Sequence, residues 1–152
     1  MTTDALPRPE TEPQFYEGVR LRRVAAFVVD LGAILVLTGG VALIGIVIGL
    51  LTFGLGFAFL VPAFALTGIA YRTTLIAERS ATLGMMLMGI ELRDAAGRPL
   101  TLPLAFVHTC AFTAMFYLPP VLVASLAYAA LNRRGQTLHD ALVQVVMINR
   151  PA

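Results

Sequence analysis

Residues 24–71 read VAAFVVDLGAILVLTGGVALIGIVIGLLTFGLGFAFLVPAFALTGIAY, and the only charged side chain in the stretch is Asp30. One helix needs about 20 apolar residues to cross roughly 30 Å of hydrocarbon. The stretch is therefore long enough for two spans. The expected segments are 24–50 and 55–72, joined by the tight connection Thr52 to Gly56 (TFGLG), with a tilt or a bend of the first at Gly39-Gly40. Pro62 falls inside the second, where neighbouring segments must satisfy the carbonyl it frees.

Composition agrees. Hydrophobic residues make up 58% of the 152 and charged residues 13%, against about 45–50% and about 25% in soluble domains. A chain this short cannot hide so much apolar surface from water, so the lipid bilayer is its expected solvent and partner. All eleven basic residues are arginines, scattered at block edges. They form no stripe with interleaved aromatics, which excludes nucleic acid as a partner. The single cysteine, Cys110, sits in an apolar block and cannot form an intramolecular disulfide.

Residues 1–14 are polar and rich in proline, and read as a flexible cytoplasmic tail. They lack the short apolar core of a removable signal peptide, so the N-terminus is expected to be retained. The membrane domain is expected over 15–150. FYEGVRLRR (15–23) places aromatics and three arginines at an interface. In the polar middle, Ser80 and Thr82 can cap a short amphipathic helix carrying Leu83, Met86, Leu87 and Ile90 on one face. IELRDAAGRPL (90–100) alternates and turns, with Gly97 available for a left-handed position, which predicts a small β-hairpin. The terminal LVQVVMI can add a strand to it.

A third apolar block, 102–131, is broken at Pro119-Pro120, since each proline removes a helical donor and clashes with the preceding turn. Loops rich in arginine stay in the cytoplasm. Arg20, Arg22 and Arg23 place the N-terminus there, and Arg72, Arg79, Arg93 and Arg98 place the middle loop on the same side. Arg133-Arg134 then conflict with a plain third span. Either the broken block re-enters and returns, as the rule favours, or the rule fails at that point. The fold class expected is an all-α transmembrane helical bundle with about three membrane segments and a small cytoplasmic helix and hairpin.

Asp30 carries the most information about function. A charge at its depth costs about 2.5–3.5 kcal/mol, so it needs a partner from protein or water. Two roles remain open, an ion, proton or ligand contact and a structural tie between helices. Arg23 lies two helical turns earlier, and its side chain leans outward to the interface. The candidate partners by depth are Arg72, Arg134, Thr137 and His139. Asp140 follows Thr137 in a T-x-x-D capping box, and His139 beside it can titrate near neutral pH. His108 is too isolated in sequence to complete a metal site, so no metal and no cofactor are expected. Gly45 and Gly49 permit close helix packing, within the chain or in a homodimer. Nothing matches a phosphate loop, a nucleophile elbow or a zinc-protease helix, so no enzyme is expected.

Three segments together, RRVAAFVVD (22–30), SATLGMMLMGIELRDAAGRPL (80–100) and NRRGQTLHDALVQVVMI (132–148), resemble the bacterial RDD family over about residues 16–150. The family is named for one arginine and two aspartates, which map here onto Arg23, Asp30 and Asp140. The resemblance implies a multi-pass protein of the bacterial cytoplasmic membrane, with transport suggested and sodium/proton exchange proposed for some relatives. Where relatives tend to carry a basic residue in the middle block this chain has Gly84-Met85, and where many carry an arginine in the third it has His108. Both departures remove candidate partners for Asp30. The expected function is a small oligomeric transporter or cation/proton exchanger in which Asp30 binds and releases the ion, aided by Arg23 and Asp140, with His139, Arg72 and Arg134 in the same polar network. The alternative is a non-transporting accessory or scaffold subunit that binds another membrane protein or lipid.

Overall fold

The computed structural model describes residues 6–151. Helix α1, Val19–Leu51, runs unbroken through Gly39-Gly40 for 33 residues. A 3-10 turn, Leu55–Phe59, leads into α2, Leu60–Arg79. Helix α3, Leu83–Leu87, is followed by strand β1, Ile90–Asp94. Next come α4, Leu102–Phe116, and α5, Pro119–Leu131, then α6, Leu138–Val143, and strand β2, Val145–Asn149. The fold is mostly helical with a small two-strand sheet. Two helices are long and apolar enough to cross a membrane, or three if the bent pair α4 and α5 counts as one span.

Several boundaries differ from the sequence expectation for identifiable reasons. Helix α2 continues past residue 72 to Arg79, which brings Arg72 inside the helix. Pro62 lies in the first turn of α2, where a missing N–H breaks no helical bond, so no neighbour is needed to rescue it. The expected amphipathic face is divided, because α3 stops at Leu87 and Gly89, at φ +67°, turns the chain into β1. Ile90 is then a buried strand residue rather than the end of a helical stripe.

The predicted hairpin over 90–100 is corrected. Gly97 does take a positive φ, in a turn whose amide bonds to the Asp94 carbonyl at 2.9 Å. The chain beyond it forms no strand. Instead β1 pairs antiparallel with β2, Leu92 opposite Met147, so the sheet ties the middle of the chain to its end. VVMIN offers β-branched and apolar residues on both faces, and four of its five residues are buried.

The buried core sits at one end of the molecule. Val19 and Ala26 of α1, Ile76 of α2, Met85 of α3, Ile90 and Leu92 of β1, Ala105 of α4, and Val145 and Met147 of β2 pack together there. The far parts of α1 and α2 have no such partners. Only 6% of the most apolar window in α1 is buried, and Leu35, Val36, Leu43 and Leu50 are all exposed. Within that arm, Gly45 and Gly49 admit the side chains of Leu60 and Phe57, and Gly56 lies against the backbone of Gly49. The glycine pair thus serves packing inside the chain.

Helices α4 and α5 meet at a 115° bend, with Pro119 and Pro120 as the first two residues of α5. The chain leaving α5 returns to the start of α1. Arg20 Nη2 donates to the Asn132 carbonyl at 2.7 Å, and Arg23 Nη1 to that of Gly135 at 2.9 Å. The broken block therefore begins and ends at the same end of the molecule, as the re-entrant alternative for Arg133-Arg134 requires. Residues 1–5 of the expected tail lie outside the described residues. The part from Leu6 on is held by the Tyr16 hydroxyl, which donates to the Pro7 carbonyl at 2.7 Å, and by Asn149 Nδ2, which donates to that of Gln14 at 2.8 Å.

Candidate functional site: two buried carboxylates around a small polar cavity

Asp30 occupies the inner face of α1 and is 1% exposed. Its Oδ1 accepts the Tyr71 hydroxyl at 2.9 Å and the Gly84 amide at 2.9 Å. Its Oδ2 accepts the Thr82 hydroxyl at 2.6 Å and faces Arg72 Nη1 at 3.5 Å. Four donors from α2 and the start of α3 thus converge on one carboxylate, which offsets the cost of burying its charge. The Gly84 contact depends on the absence of a side chain, since a Cβ there would overlap the backbone carbonyl of Ala26. Thr82 also caps α3, its Oγ1 accepting the Met85 amide at 3.3 Å. The Arg72 guanidinium lies 4.0 Å over the Phe112 ring of α4, while its Nε has no hydrogen-bond partner among the described residues.

Asp140, fully buried at the start of α6, forms the second centre. Its Oδ2 is ion-paired with Arg23 and accepts the Thr137 amide at 3.1 Å, the N3 half of a capping box. Its Oδ1 lies 2.9 Å from His108 Nε2 and 3.1 Å from His139 Nε2. Burial by itself would raise the Asp140 carboxyl. The Arg23 guanidinium and the His108 hydrogen bond outweigh it and hold the group well below the usual carboxylate range. Burial pushes His139 down to about 4 against the pull of Asp140, with His108, Arg23 and Arg72 adding to the depression. His139 is therefore neutral at physiological pH, with Nδ1 2.9 Å from Thr137 Oγ1.

Between the two centres lies a cavity of about 50 Å³ lined by Arg23, Asp30, Arg72, His108 and His139, with Phe27, Phe112 and Met147 among its apolar walls. A second, open cavity of about 210 Å³ runs between α1, α2 and α4 and shares Asp30, Arg72, Phe27 and Phe112 with the first.

Of the residues singled out from sequence, Arg23, His139 and Asp140 form one cluster, and Asp30 and Arg72 form the other. Of the four candidate partners of Asp30, Arg72 is the one that lies against it. Thr137 and His139 serve Asp140 instead. Arg134 joins neither cluster, and its charge acts on Tyr16 instead. Sequence reasoning missed Tyr71 and Gly84 and treated Thr82 only as a cap. It set His108 aside, although a polar residue in an apolar block was itself the signal.

The arginine and the two aspartates occur in the order and spacing described, within a match of the RDD family model to residues 18–144, most of the chain. This chain belongs to the RDD family. No curated protein and no solved structure matches it. In this RDD chain the eponymous residues do not form a triad. Arg23 belongs to Asp140, and Asp30 takes Arg72 as its cation.

Proposed function

We propose that this RDD protein is a non-enzymatic, multi-pass domain of the bacterial cytoplasmic membrane that acts as an accessory or scaffold subunit for another membrane protein or for lipid. The observation that carries this reading is the saturation of Asp30. Each of its oxygens already accepts two donors among the described residues. Hard cations such as sodium or calcium are held by several oxygens, whereas here the neighbours are N–H and O–H groups. The polar centre fastens α3, α6 and the sheet onto the α1–α2 arm, leaving the apolar flanks of that arm free for a partner or a second copy. Arg20, Arg23, Arg79, Arg93 and Arg133 gather at the end where α1 begins, which supports a cytoplasmic N-terminus.

A second reading, exchange of a proton or small cation at Asp30 within an oligomer, is favoured by one observation. The two cavities meet at Asp30 and Arg72. Reconstituted vesicles discriminate the two. Under the accessory reading the wild-type chain moves no proton or sodium above empty vesicles, and Asp30→Asn lowers folded yield. Flux by the wild type that Asp30→Asn abolishes at unchanged yield would overturn the accessory reading in favour of exchange.

A further inference from the structure

The fold brings three potential metal ligands to one point. His108 comes from α4, while His139 and Asp140 come from the first turn of α6, and one ligand atom from each lies within 4.8 Å of the others. All three are buried. Asp140 Oδ1 is 2.9 Å from His108 Nε2 and 3.1 Å from His139 Nε2. Bonds of about 2.0–2.1 Å to a common ion, at angles between octahedral and tetrahedral, separate neighbouring ligands by about 2.9–3.4 Å. The two spacings from Asp140 fall in that range, and the two imidazole nitrogens lie within 4.8 Å of each other, close enough to share an ion after a small side-chain adjustment.

We propose that His108 Nε2, His139 Nε2 and Asp140 Oδ1 form a binding site for a borderline divalent transition ion of the zinc class, its remaining position open to the adjoining cavity of about 50 Å³. Two imidazoles and one carboxylate suit zinc and its neighbours rather than magnesium or calcium, which prefer all-oxygen sets. The surroundings divide the work on Asp140. Oδ2 stays with Arg23 and the Thr137 amide, which hold the carboxylate in place while Oδ1 faces the imidazoles. Ligation at Nε2 places the proton of each ring on Nδ1. On His139 that proton faces Thr137 Oγ1 at 2.9 Å, an acceptor once the hydroxyl rotates. On His108, Nδ1 has no partner in the described structure, so no existing bond opposes the change. Arg23 and Arg72 line the same cavity and repel a dication, so binding should be weaker than at a closed structural zinc site.

The test uses the full chain, purified in detergent without a histidine tag, stripped with chelator and reloaded with zinc or cobalt. The wild type should retain one zinc per chain. Its cobalt form should show visible d–d bands without thiolate charge transfer. His108→Gln and His139→Gln keep an amide donor toward Asp140 and should each weaken binding at least about tenfold, by analogy with the loss of metal-site partners. Circular dichroism and gel filtration establish that each variant is folded. Where one is not, the wild-type stoichiometry and cobalt spectrum decide alone. The proposal is overturned by substoichiometric zinc in the wild type, by a thiolate band assigning the ion to Cys110, or by wild-type affinity in the folded His108→Gln/His139→Gln chain.

Discussion

Arg23 and Asp140, 117 residues apart in the chain, form an ion pair, its carboxylate fully buried, that closes the first helix onto the last. Arg23 also holds the Gly135 carbonyl at 2.9 Å, so one guanidinium fastens both the α5–α6 loop and the start of α6.

Losing one member of this pair strands the other. Arg23→Gln leaves a fully buried Asp140 carboxylate without its guanidinium partner, and should destabilise the fold by about 3–5 kcal/mol. Asp140→Asn strands Arg23 less severely, because that side chain is partly exposed. A double-mutant cycle measured by unfolding in detergent should give a coupling of at least about 1 kcal/mol. Strictly additive losses would mean that the pair contributes no specific interaction.

Glycines of α1 and α3 should respond in opposite directions to an added methyl. Gly84→Ala drives Cβ into the Ala26 carbonyl and lifts the amide from Asp30, with an expected loss of about 3 kcal/mol. Gly40 has open space around it in the middle of a helix, so Gly40→Ala should stabilise by about 0.5–1 kcal/mol. Equal melting shifts for the two variants would refute the close approach of α3 to α1.

Acid should weaken the fold in two stages. An unfolded chain protonates His139 near 6.5, whereas the folded one resists until about 4. Between those values the unfolded state binds more protons, so stability falls as pH is lowered, by roughly 3 kcal/mol over the whole interval. Below it the Asp140 contribution follows, complete above the ordinary carboxyl value of 3.8 and lost as pH drops through the depressed folded one. Unfolding curves between about pH 4 and 7 should show the upper limb, and His139→Gln should flatten it. An unchanged profile in that variant would assign the limb to another group.

The 115° bend between α4 and α5, taken as a re-entrant path, predicts sidedness. With Cys110 replaced by alanine, single cysteines at Ala95 and Arg133 should react with an impermeant maleimide from one face of oriented vesicles. A cysteine at Phe53, fully exposed at the far end of the arm, should react from the other. Labelling of positions 95 and 133 from opposite faces would make the third block a plain span.

Long-range features were legible wherever a single physical cost dominated. Asp30 demanded a partner because its charge lies deep in apolar sequence, and Pro119-Pro120 demanded a break because two helical donors are missing. Arg133-Arg134 recorded the return of the chain as a conflict with loop charge. The T-x-x-D spacing announced the cap of α6. What stayed hidden was choice among equals. Arg72 and Arg134 were equivalent at the resolution of predicted depth, and only the extension of α2 to Arg79 brought the first inward. Tyr71 and Gly84 looked like ordinary interface and helix residues, whereas the strand in LVQVVMI was legible and does join 90–94, although no second strand forms beyond Gly97. His108 and His139 become neighbours, with ring centroids 5.0 Å apart, only once α4 and α6 have packed.

Helix α4 rises only about 22 Å over its 15 residues before the 115° turn, less than the roughly 30 Å of a hydrocarbon core. In a bilayer, one leaflet would meet the cross-section of four helices and the other mainly that of two. A body broader in one leaflet than in its opposite acts as a wedge, and lipids crowded on the broad side relax by bending. Such a chain should gather where the membrane is already curved, at cell poles or the necks of small vesicles.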